Sequence, residues 1–489
     1  MDAVELGSRA TSIEDVIAVA RDAAVVTLAP GARARVRASQ EAHVRAAAAG
    51  TRIYGATTGL GPNVGLSLEA DDPERARRIL VGRAAAIGPA APKELVRAAL
   101  FARVAGIAAG GSGVAPAVAD TLVAMLGKGV HPVVPTIGSV GEADLATLAH
   151  LALPLVGLGR AELAGEILEG SGALERAGIP QPELSPRDSL ALCSSNAFAI
   201  GAGSLAAADA LRLLDVANAA IALTLEGFEG NPAPTDPRVV AARPFPGHAW
   251  AAAEIRAALE GSALLGPDGP RLLQDPLPFR CAPVLHGSAR AALERLRAAV
   301  ELELDAASDN PLVVEDGDVL GSAGFDSTPL AHALEGAALA LAAVARASAV
   351  RTLQLHDERR TGLPTGLTPI GADRAGLGVL GKPLGALVAR VRSLAMPVSL
   401  DSLPLALGIE DHASQAPLAA ARLSELLDAL ARIIACELAC AAQALDLRAP
   451  RPRGAGAAAL HARVRVHIAP LEDDRPLGDE VEALARSIR

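Results

Sequence analysis

The sequence has few aromatic residues and few cysteines. One Tyr, one Trp and six Phe occur in 489 residues, so the single tyrosine, Tyr54, stands out. Four cysteines are scattered along the chain, and only Cys436 and Cys440 lie one helical turn apart, without neighbouring metal-ligand partners. We therefore expect these two thiols to be small core residues, and we expect no bound metal ion.

An excess of positive charge is also absent. The 55 Asp and Glu exceed the 45 Lys and Arg, and the formal charge of −10 repels phosphate backbones and anionic membrane surfaces. Nucleic acid and membrane partners are therefore not expected. The first residues carry acids where a secretory signal would carry Lys or Arg, which predicts a cytoplasmic protein. Charged or Pro residues interrupt the most apolar windows, 145–158 and 199–225, so we expect buried helices there.

The abundant residues are apolar, and they favour helices. Hydrophobic residues make up 51% of the chain, and Ala and Leu dominate them. Apolar residues recur at helical spacing over four long segments, which are 189–225, 288–306, 328–355 and 416–447. Helices that are apolar on several faces predict a mainly α bundle whose core is completed by other subunits.

Glycine-rich turns concentrate in the first part of the chain. They include YGATTGLGPNVG from Tyr54 to Gly65 and AAGGSGVAP from Ala108 to Pro116. We predict an N-terminal loop-rich helical domain over residues 1–190, and a long-helix bundle with a C-terminal helical region over 191–489.

One segment carries a resemblance to a known family. In TIGSVGEADLATLAH, residues 136–150, GSVG followed by DLATLAH resembles the loop of the histidine and phenylalanine ammonia-lyase family. In that family an Ala-Ser-Gly triplet between the two halves cyclises into the electrophile methylidene-imidazolone. Here Glu142 and Ala143 alone stand between Gly141 and Asp144. Other segments resemble the family in its order, among them SIEDVIAVARD, YGATTGLG, GGSGVAP, LEGFEGNPAPTDPRVVAARPFPG, QDPLPFRCAP, DAASDNPLV, GFDSTP, DSLPLALGIEDH and QALDLRAP.

The resemblance implies a fold and an assembly. It implies the long central helix bundle of the ammonia-lyase and fumarase-like type, in a homotetramer whose active sites combine residues from three subunits. Such a series of motifs is specific for fold and much less specific for activity.

The electrophile itself is not expected. Cyclisation needs an unhindered Gly nitrogen and a Ser that can lose its hydroxyl. Val140 is β-branched, and the stretch from Glu142 to Asp144 has no hydroxyl. We therefore predict that the protein uses no cofactor, and that Gly141, Glu142, Ala143 and Asp144 form an altered loop.

Further departures from the family pattern lie around the electrophile or the reacting end of the substrate. Arg83 replaces the family His, Ser194 replaces an Asn, and Leu277 replaces a Tyr. The family residues that remain are Tyr54, Gln274, Arg280, Asn310, Phe325 and Glu410.

Roles for these residues follow from the resemblance and from their chemistry. Tyr54 matches the catalytic Tyr and would move the substrate proton, the alternative being a Tyr packed at a loop. Arg280 matches the Arg that holds the substrate carboxylate, the alternative being a structural ion pair. Glu410 would transfer protons, whereas the following Asp411 and His412 would serve packing or an interface.

We expect different roles for the two acidic residues of the altered loop. Asp144 is predicted to be a helix N-cap. Glu142 would meet a substrate cation or donate a proton to a leaving group.

Three functional hypotheses remain open. The first is a prosthetic-group-free lyase, cyclase or isomerase for a small carboxylate-bearing substrate. In this hypothesis Asn310 assists Arg280, and the pocket is shaped by Gln274, Ser194, Phe325 and Arg83. The second is a catalytically silent homologue that binds a ligand or partner. The third is an aromatic amino acid ammonia-lyase with an unusual electrophile.

Overall fold

Two compact units make up the chain in a computed structural model that describes residues 3–68, 74–267, 269–371, 373–400 and 402–489. The first unit takes residues 1–208, 296–334 and 397–421, and the second takes 209–295, 335–396 and 422–489. This division differs from the predicted boundary at residue 190, because each unit collects three separate segments of the chain.

Helices dominate both units, as the Ala- and Leu-rich composition predicts. In chain order they are α1 Ile13–Ala20, α2 Pro30–Ala48, α3 Arg75–Val81, α4 Lys93–Ala109, α5 Pro116–Lys128, α6 Leu145–Ala152, α7 Gly170–Arg176, α8 Pro186–Cys193, α9 Ala197–Phe228, α10 Pro237–Ala241, α11 His248–Ala258, α12 Leu277–Arg280, α13 Ala282–Leu304, α14 Thr328–Leu355, α15 Glu358–Thr361, α16 Gly381–Leu394, α17 Ala416–Asp446, α18 Ala455–His467 and α19 Gly478–Ile488. Short 3₁₀ turns occur at Gly61–Asn63, Leu153–Val156, Ala233–Thr235, Ala263–Leu265, Thr365–Leu367, Gly376–Leu380 and Ala406–Gly408.

The strands are short, and those described all lie in the first unit. They are β1 Val4–Leu6, β2 Val26–Leu28, β3 Ile87–Ala90, β4 Val130–Pro132, β5 Pro135–Ile137, β6 Arg160–Leu163, β7 Glu166–Glu169, β8 Leu312–Val313 and β9 Val319–Leu320. β1 and β2 pair in parallel, with Val4 opposite Val26. The antiparallel pairs are β3–β5, β4–β6, β6–β7 and β8–β9. The mixed N-terminal region expected from the glycine-rich turns is therefore present.

The four predicted long helices are confirmed as α9, α13, α14 and α17, and one of the predictions needs a correction. The segment predicted as a helix from residue 189 breaks at 194–196, between α8 and α9. Ser185 begins α8 with a capping box, in which its hydroxyl accepts from the Asp188 N–H and the Asp188 carboxylate accepts from the Ser185 N–H. The break follows at Ser194, whose ψ of 73° is not helical.

Small residues allow close helix packing in the core of the first unit. A Cβ on Gly201 of α9 would lie 2.7 Å from the backbone nitrogen of Ala99 in α4, so only Gly permits this approach. Cys436 and Cys440 are buried in α17, which confirms them as core residues. Burial raises the pKa of the Cys436 thiol to about 12, so this thiol is unreactive at neutral pH.

Two helical stretches are long and apolar enough to cross a membrane, by length and composition alone. They are 186–228, whose apolar window is 83% buried inside the protein, and Thr328–Leu355, whose window is 50% buried. Core helices of globular proteins meet the same criterion, and the first stretch is accounted for by its burial.

Candidate active site

The altered loop joins β5 to α6 in the first unit and has a backbone that depends on glycine. Gly141 has φ +85°, and a Cβ there would collide with the Ser414 hydroxyl and the backbone nitrogen of Ala416. Its carbonyl oxygen accepts hydrogen bonds from the hydroxyls of Ser327, at 2.8 Å, and Ser414, at 2.7 Å. Segments that are distant in sequence therefore fix Gly141, in the middle of the loop.

The break between α8 and α9 supplies a second anchor. The Ala143 N–H donates to the side-chain carbonyl of Asn196, at 3.2 Å, and lies 3.3 Å from the Phe325 carbonyl oxygen. The Asp144 N–H donates to the Ser195 carbonyl at 2.7 Å. A continuous helix would use this carbonyl internally, so the break frees it for the loop.

Asp144 corrects the N-cap prediction. It occupies the N-cap position of α6, but its carboxylate makes no capping bond there. One oxygen accepts from the Ser139 hydroxyl at 2.5 Å, and the other accepts from the Ala199 N–H at 2.8 Å, in the first turn of α9. Burial raises the pKa of Asp144 to about 6, against the opposing effect of these donors. The carboxylate thus stabilises the beginning of a different helix.

The loop chemistry does not fit formation of methylidene-imidazolone. The hydroxyl nearest in sequence belongs to Ser139, which donates to Asp144 and accepts from the Gly141 N–H at 3.0 Å. Between Gly141 and Asp144 the chain supplies the side chains of Glu142 and Ala143. Neither can be dehydrated to an exocyclic methylidene group.

Glu142 instead lies beside a second carboxyl group. Its backbone forms an isolated β-bridge with Asp326, and its side-chain oxygen accepts from the Ser414 N–H at 3.0 Å. Burial, followed by the charge of Asp326, raises the pKa of Glu142 to about 7. The ring nitrogen Nε2 of His412 lies 4.0 Å from Glu142 and 3.7 Å from Asp326. Glu303, at the end of α13, is a further buried acid, and burial and Asp326 raise its pKa to about 7.

Sequence reasoning missed most of this environment. Residues not singled out as site residues are Ser139, Asn196, Glu303, Asp326, Ser327, His412 and Ser414. Asp326 and Ser327 follow Phe325 directly in GFDSTP, and Ser414 follows EDH. Their position next to predicted site residues was the available signal.

Tyr54 and Arg83 lie on loops of the first unit. Tyr54 is half-buried, and its phenol oxygen accepts from the Gly61 N–H at 2.8 Å, within its own loop. Arg83 follows α3 and donates to the Ile79 carbonyl at 3.1 Å. Its charge acts on the buried thiol of Cys193, next to Ser194. In the part of the chain that is described, neither side chain hydrogen-bonds to the altered loop.

Asn310 and Phe325 both lie in the stretch of chain between α13 and α14. The Asn310 side-chain carbonyl accepts from the Ser322 N–H at 3.0 Å, so its amide NH₂ is left to donate. The preceding Asp309 is completely buried and pairs with Arg103 at 2.9 Å and Arg187 at 3.6 Å. The Asn310 turn is therefore held from inside the core.

The remaining predicted site residues are distant from the altered loop in sequence. Glu410 is half-buried in a turn whose backbone pairs with Leu405. It lies two positions before His412 and four positions before Ser414, which contacts the loop. Gln274 and Arg280 belong to the second unit, where the Arg280 guanidinium donates to the Gln274 side-chain oxygen at 2.9 Å. Among the described residues Arg280 thus hydrogen-bonds to a neutral side chain, and its charge also acts on the carboxyl of Asp275. Ser194 is buried at the helix break, and Leu277 is 60% exposed at the start of α12.

Comparisons with known proteins extend over the whole chain. The family model described as aromatic amino acid lyase matches residues 11–466. Histidine ammonia-lyase of Symbiobacterium thermophilum is 38% identical over 491 residues, covering 100% of this chain and 97% of the relative. The same enzyme of Anaeromyxobacter dehalogenans is 39% identical over 502 residues, covering 100% and 99%.

Solved structures agree with this result. Ergothionase of Treponema denticola, an ergothioneine-degrading enzyme in complex with desmethyl-ergothioneine sulfonic acid, superposes with a TM-score of 0.95 at 32% identity, covering 100% of this chain and 98% of that chain. Phenylalanine aminomutase of Pantoea agglomerans superposes with a TM-score of 0.95 at 27% identity, covering 100% and 99%.

Proposed function

Because the chain belongs to the aromatic amino acid lyase family, we propose that it eliminates an amine from a carboxylate-bearing, amino-acid-like substrate without methylidene-imidazolone. Lyase-type elimination on an amino acid substrate follows from the family. The omission of the electrophile is the proposed part, and one observation carries it. The altered loop has no serine between Gly141 and Asp144, and the neighbouring Ser139 hydroxyl is bonded to a buried carboxylate.

The missing electrophile restricts the leaving group. An α-ammonium group leaves poorly, and the adjacent proton is weakly acidic. A quaternary ammonium group has no N–H proton to lose, so it cannot turn into the neutral amine, which is a much poorer leaving group, when a base acts on the substrate. Ergothioneine, on which the Treponema enzyme acts, is a trimethylammonium betaine of a histidine derivative. We therefore propose a betaine of a histidine-like amino acid as the substrate class.

The proposed reaction is a 1,2-elimination. The Tyr54 phenolate takes a proton from the carbon next to the amine-bearing carbon. The C–H electron pair forms the C=C bond, and the C–N electron pair leaves with the amine. The products are an unsaturated carboxylate, a tertiary amine and a protonated Tyr54, which then returns its proton to solvent, with Glu410 as the proposed transfer group.

Substrate binding is assigned to groups with suitable chemistry. The planar Arg280 guanidinium suits the carboxylate. In the proposed homotetramer the amide NH₂ of Asn310 from another copy of the chain is a second donor. Gln274, which accepts from Arg280, orients it. Ser194, Phe325 and Arg83 are proposed to shape the pocket.

A homotetramer is part of the proposal. Apolar side chains are left exposed on two of the long helices, with Leu302 of α13 at 68% and Leu339 of α14 at 68%. Such faces are buried when further copies pack against them. A cytoplasmic location stays a prediction.

Two measurements test the proposed function. The mass of the denatured chain should equal that of the unmodified sequence, whereas a mass short by two waters would establish the electrophile and favour the ordinary ammonia-lyase hypothesis. The native protein is then incubated with ergothioneine or with histidine, and trimethylamine, ammonia and the ultraviolet absorbance of the unsaturated acid are followed. Release of trimethylamine alone supports the proposal, and release of ammonia alone contradicts it.

The silent homologue is the second candidate. The observation favouring it is the set of altered family positions, including the exposed Leu277 in place of a phenol. Saturable binding of these compounds without any product would support this candidate over the lyase.

A further inference from the structure

A cluster of ionisable side chains from separate segments lies beside the altered loop. Glu142 comes from the loop, Asp326 from the turn before α14, and His412 from the segment before α17. Their ligand atoms all lie within 4.8 Å of one another, and all three residues belong to the first unit. We propose that Glu142, Asp326 and His412 bind a divalent transition-metal ion.

The geometry and the donor set both suit such an ion. Ligands of a tetrahedral ion with bonds of about 2.0–2.2 Å lie roughly 3.4 Å apart. The observed separations are 3.7 Å from Asp326 to His412 and 4.0 Å from Glu142 to His412, so these two pairs need shifts of only a few tenths of an ångström. The ligand atoms of Glu142 and Asp326 lie within 4.8 Å of each other. Two carboxylates with one imidazole suit Mn²⁺ or Zn²⁺, whereas Mg²⁺ and Ca²⁺ prefer oxygen ligands alone.

Backbone donors orient both carboxylates. The Glu142 side chain accepts from the Ser414 N–H at 3.0 Å, and one oxygen of Asp326 accepts from the Thr328 N–H at 2.8 Å. The other Asp326 oxygen is the one nearest His412. A hydrogen bond to the outer oxygen of a ligating carboxylate is the usual support of a metal site, and Asp326 has this arrangement. In Glu142 the same oxygen, Oε1, accepts from Ser414 and lies nearest His412. His412 Nε2 would exchange its 3.3 Å contact with the Thr328 hydroxyl for the ion.

An independent observation also points to a cation. Glu303, at the end of α13, is 9% exposed. It lies close enough to Asp326 for their charges to interact. Burying a carboxylate is costly unless a proton or a cation compensates its charge. An ion beside Asp326 would provide this compensation, and Glu303 would serve as an outer charge.

The inference goes beyond the proposed elimination and does not depend on it. A bound ion would place positive charge next to Glu142, in the segment where the family pattern carries its electrophile. Metal binding is measured without substrate, so failure of one proposal leaves the other intact.

The test uses the full-length protein, stripped with a chelator and titrated with Mn²⁺ while the free ion is followed by electron paramagnetic resonance. Mn²⁺ is chosen because it prefers oxygen and nitrogen ligands over cysteine thiols. We expect one saturable site per chain, and affinity at least tenfold weaker in Glu142→Gln and in His412→Gln. The matched control is Asp446→Asn, which removes the carboxylate 2.7 Å from His461. Among the described residues this pair has no third metal ligand beside it, so the substitution should not change binding.

Circular dichroism of each variant establishes that the fold is kept. Absence of saturable Mn²⁺ binding, or equal binding by wild type and Glu142→Gln, overturns the inference. A parallel titration with glycine betaine tests whether the cluster binds a quaternary ammonium group instead of a metal ion. If glycine betaine binds in a Glu142-dependent manner while Mn²⁺ does not, the cluster is a quaternary ammonium site and the metal assignment is wrong.

Discussion

The backbone N–H of Ala143 donates a hydrogen bond to the side-chain carbonyl of Asn196, with 3.2 Å between the two atoms. Asn196 is completely buried and lies directly before α9, in the break that follows α8. The conformation of the altered loop thus depends on an interruption in a long helix. Changes near this contact are expected to act on stability, on catalysis, or on both.

Tyr54→Phe is expected to abolish turnover while preserving the fold. The substitution removes the group assigned to proton transfer, and it costs about 1 kcal/mol of stability because the Gly61 N–H loses its acceptor. Turnover and thermal unfolding are measured together. Thr57→Val is the control, because it removes hydrogen bonds from the same loop and leaves the phenol in place. Full activity of Tyr54→Phe would remove Tyr54 from the mechanism.

Arg280→Lys is expected to raise KM by roughly 30- to 100-fold, equivalent to about 2–3 kcal/mol, with a smaller effect on kcat. Lysine cannot form two parallel hydrogen bonds to a carboxylate. Steady-state kinetics on wild type, Arg280→Lys and the control Arg290→Lys provide the comparison. Arg290 pairs with Glu294 at 2.7 Å on the surface of α13, so its replacement should leave KM unchanged. Equal KM values for all three proteins would assign Arg280 to structure alone.

Asp144→Ala is expected to lower the free energy of unfolding by about 2–4 kcal/mol, because the buried Ala199 N–H and Ser139 hydroxyl lose their acceptor and a cavity remains. Asp144→Asn should cost less than half as much, since one amide oxygen still accepts and the Ser139 hydroxyl can reorient. Urea denaturation of both variants checks this order. Equal losses would mean that the negative charge, rather than the hydrogen bonds, stabilises this position.

Asp309→Asn is expected to cost about 3–5 kcal/mol, because the buried Arg103 and Arg187 lose a charged partner. The comparison is Asp120→Asn, which removes an exposed pair with Arg33 and should cost less than about 1 kcal/mol. Chemical denaturation measures both. Similar small losses would show that Asp309 does not hold the Asn310 turn.

Acid sensitivity is expected from His43. Burial, followed by the charge of Arg187, lowers the pKa of His43 from 6.5 to about 4. The unfolded chain therefore binds more protons than the native protein between these values, and stability falls as the pH drops from about 6.5 to 4. The contribution is at most roughly 3 kcal/mol. His43→Leu should lose less stability than wild type over this interval, with pH 8 as the reference, and parallel pH profiles would contradict this assignment.

Much of the architecture could be predicted from local patterns. The four long helices follow from apolar residues at helical spacing, and the observed spans α14 Thr328–Leu355 and α17 Ala416–Asp446 agree with the prediction to within a residue. The break at Ser194 could not be predicted this way. Its flanking residues keep the apolar pattern, and the gain from interrupting the helix comes from bonds to a loop remote in sequence.

The candidate site, like the fold, could be predicted from the sequence only in part. The absence of Ser and Gly between Gly141 and Asp144 is a covalent fact, so the sequence by itself determined that the family triplet is missing. The tertiary structure alone decided what surrounds the replacement. It directs the Asp144 carboxylate to α9 and brings Glu142 next to Asp326 and His412. The reason is physical: helical periodicity and loop chemistry are local, whereas hydrogen bonds, burial and charge pairing depend on packing between segments distant in the chain.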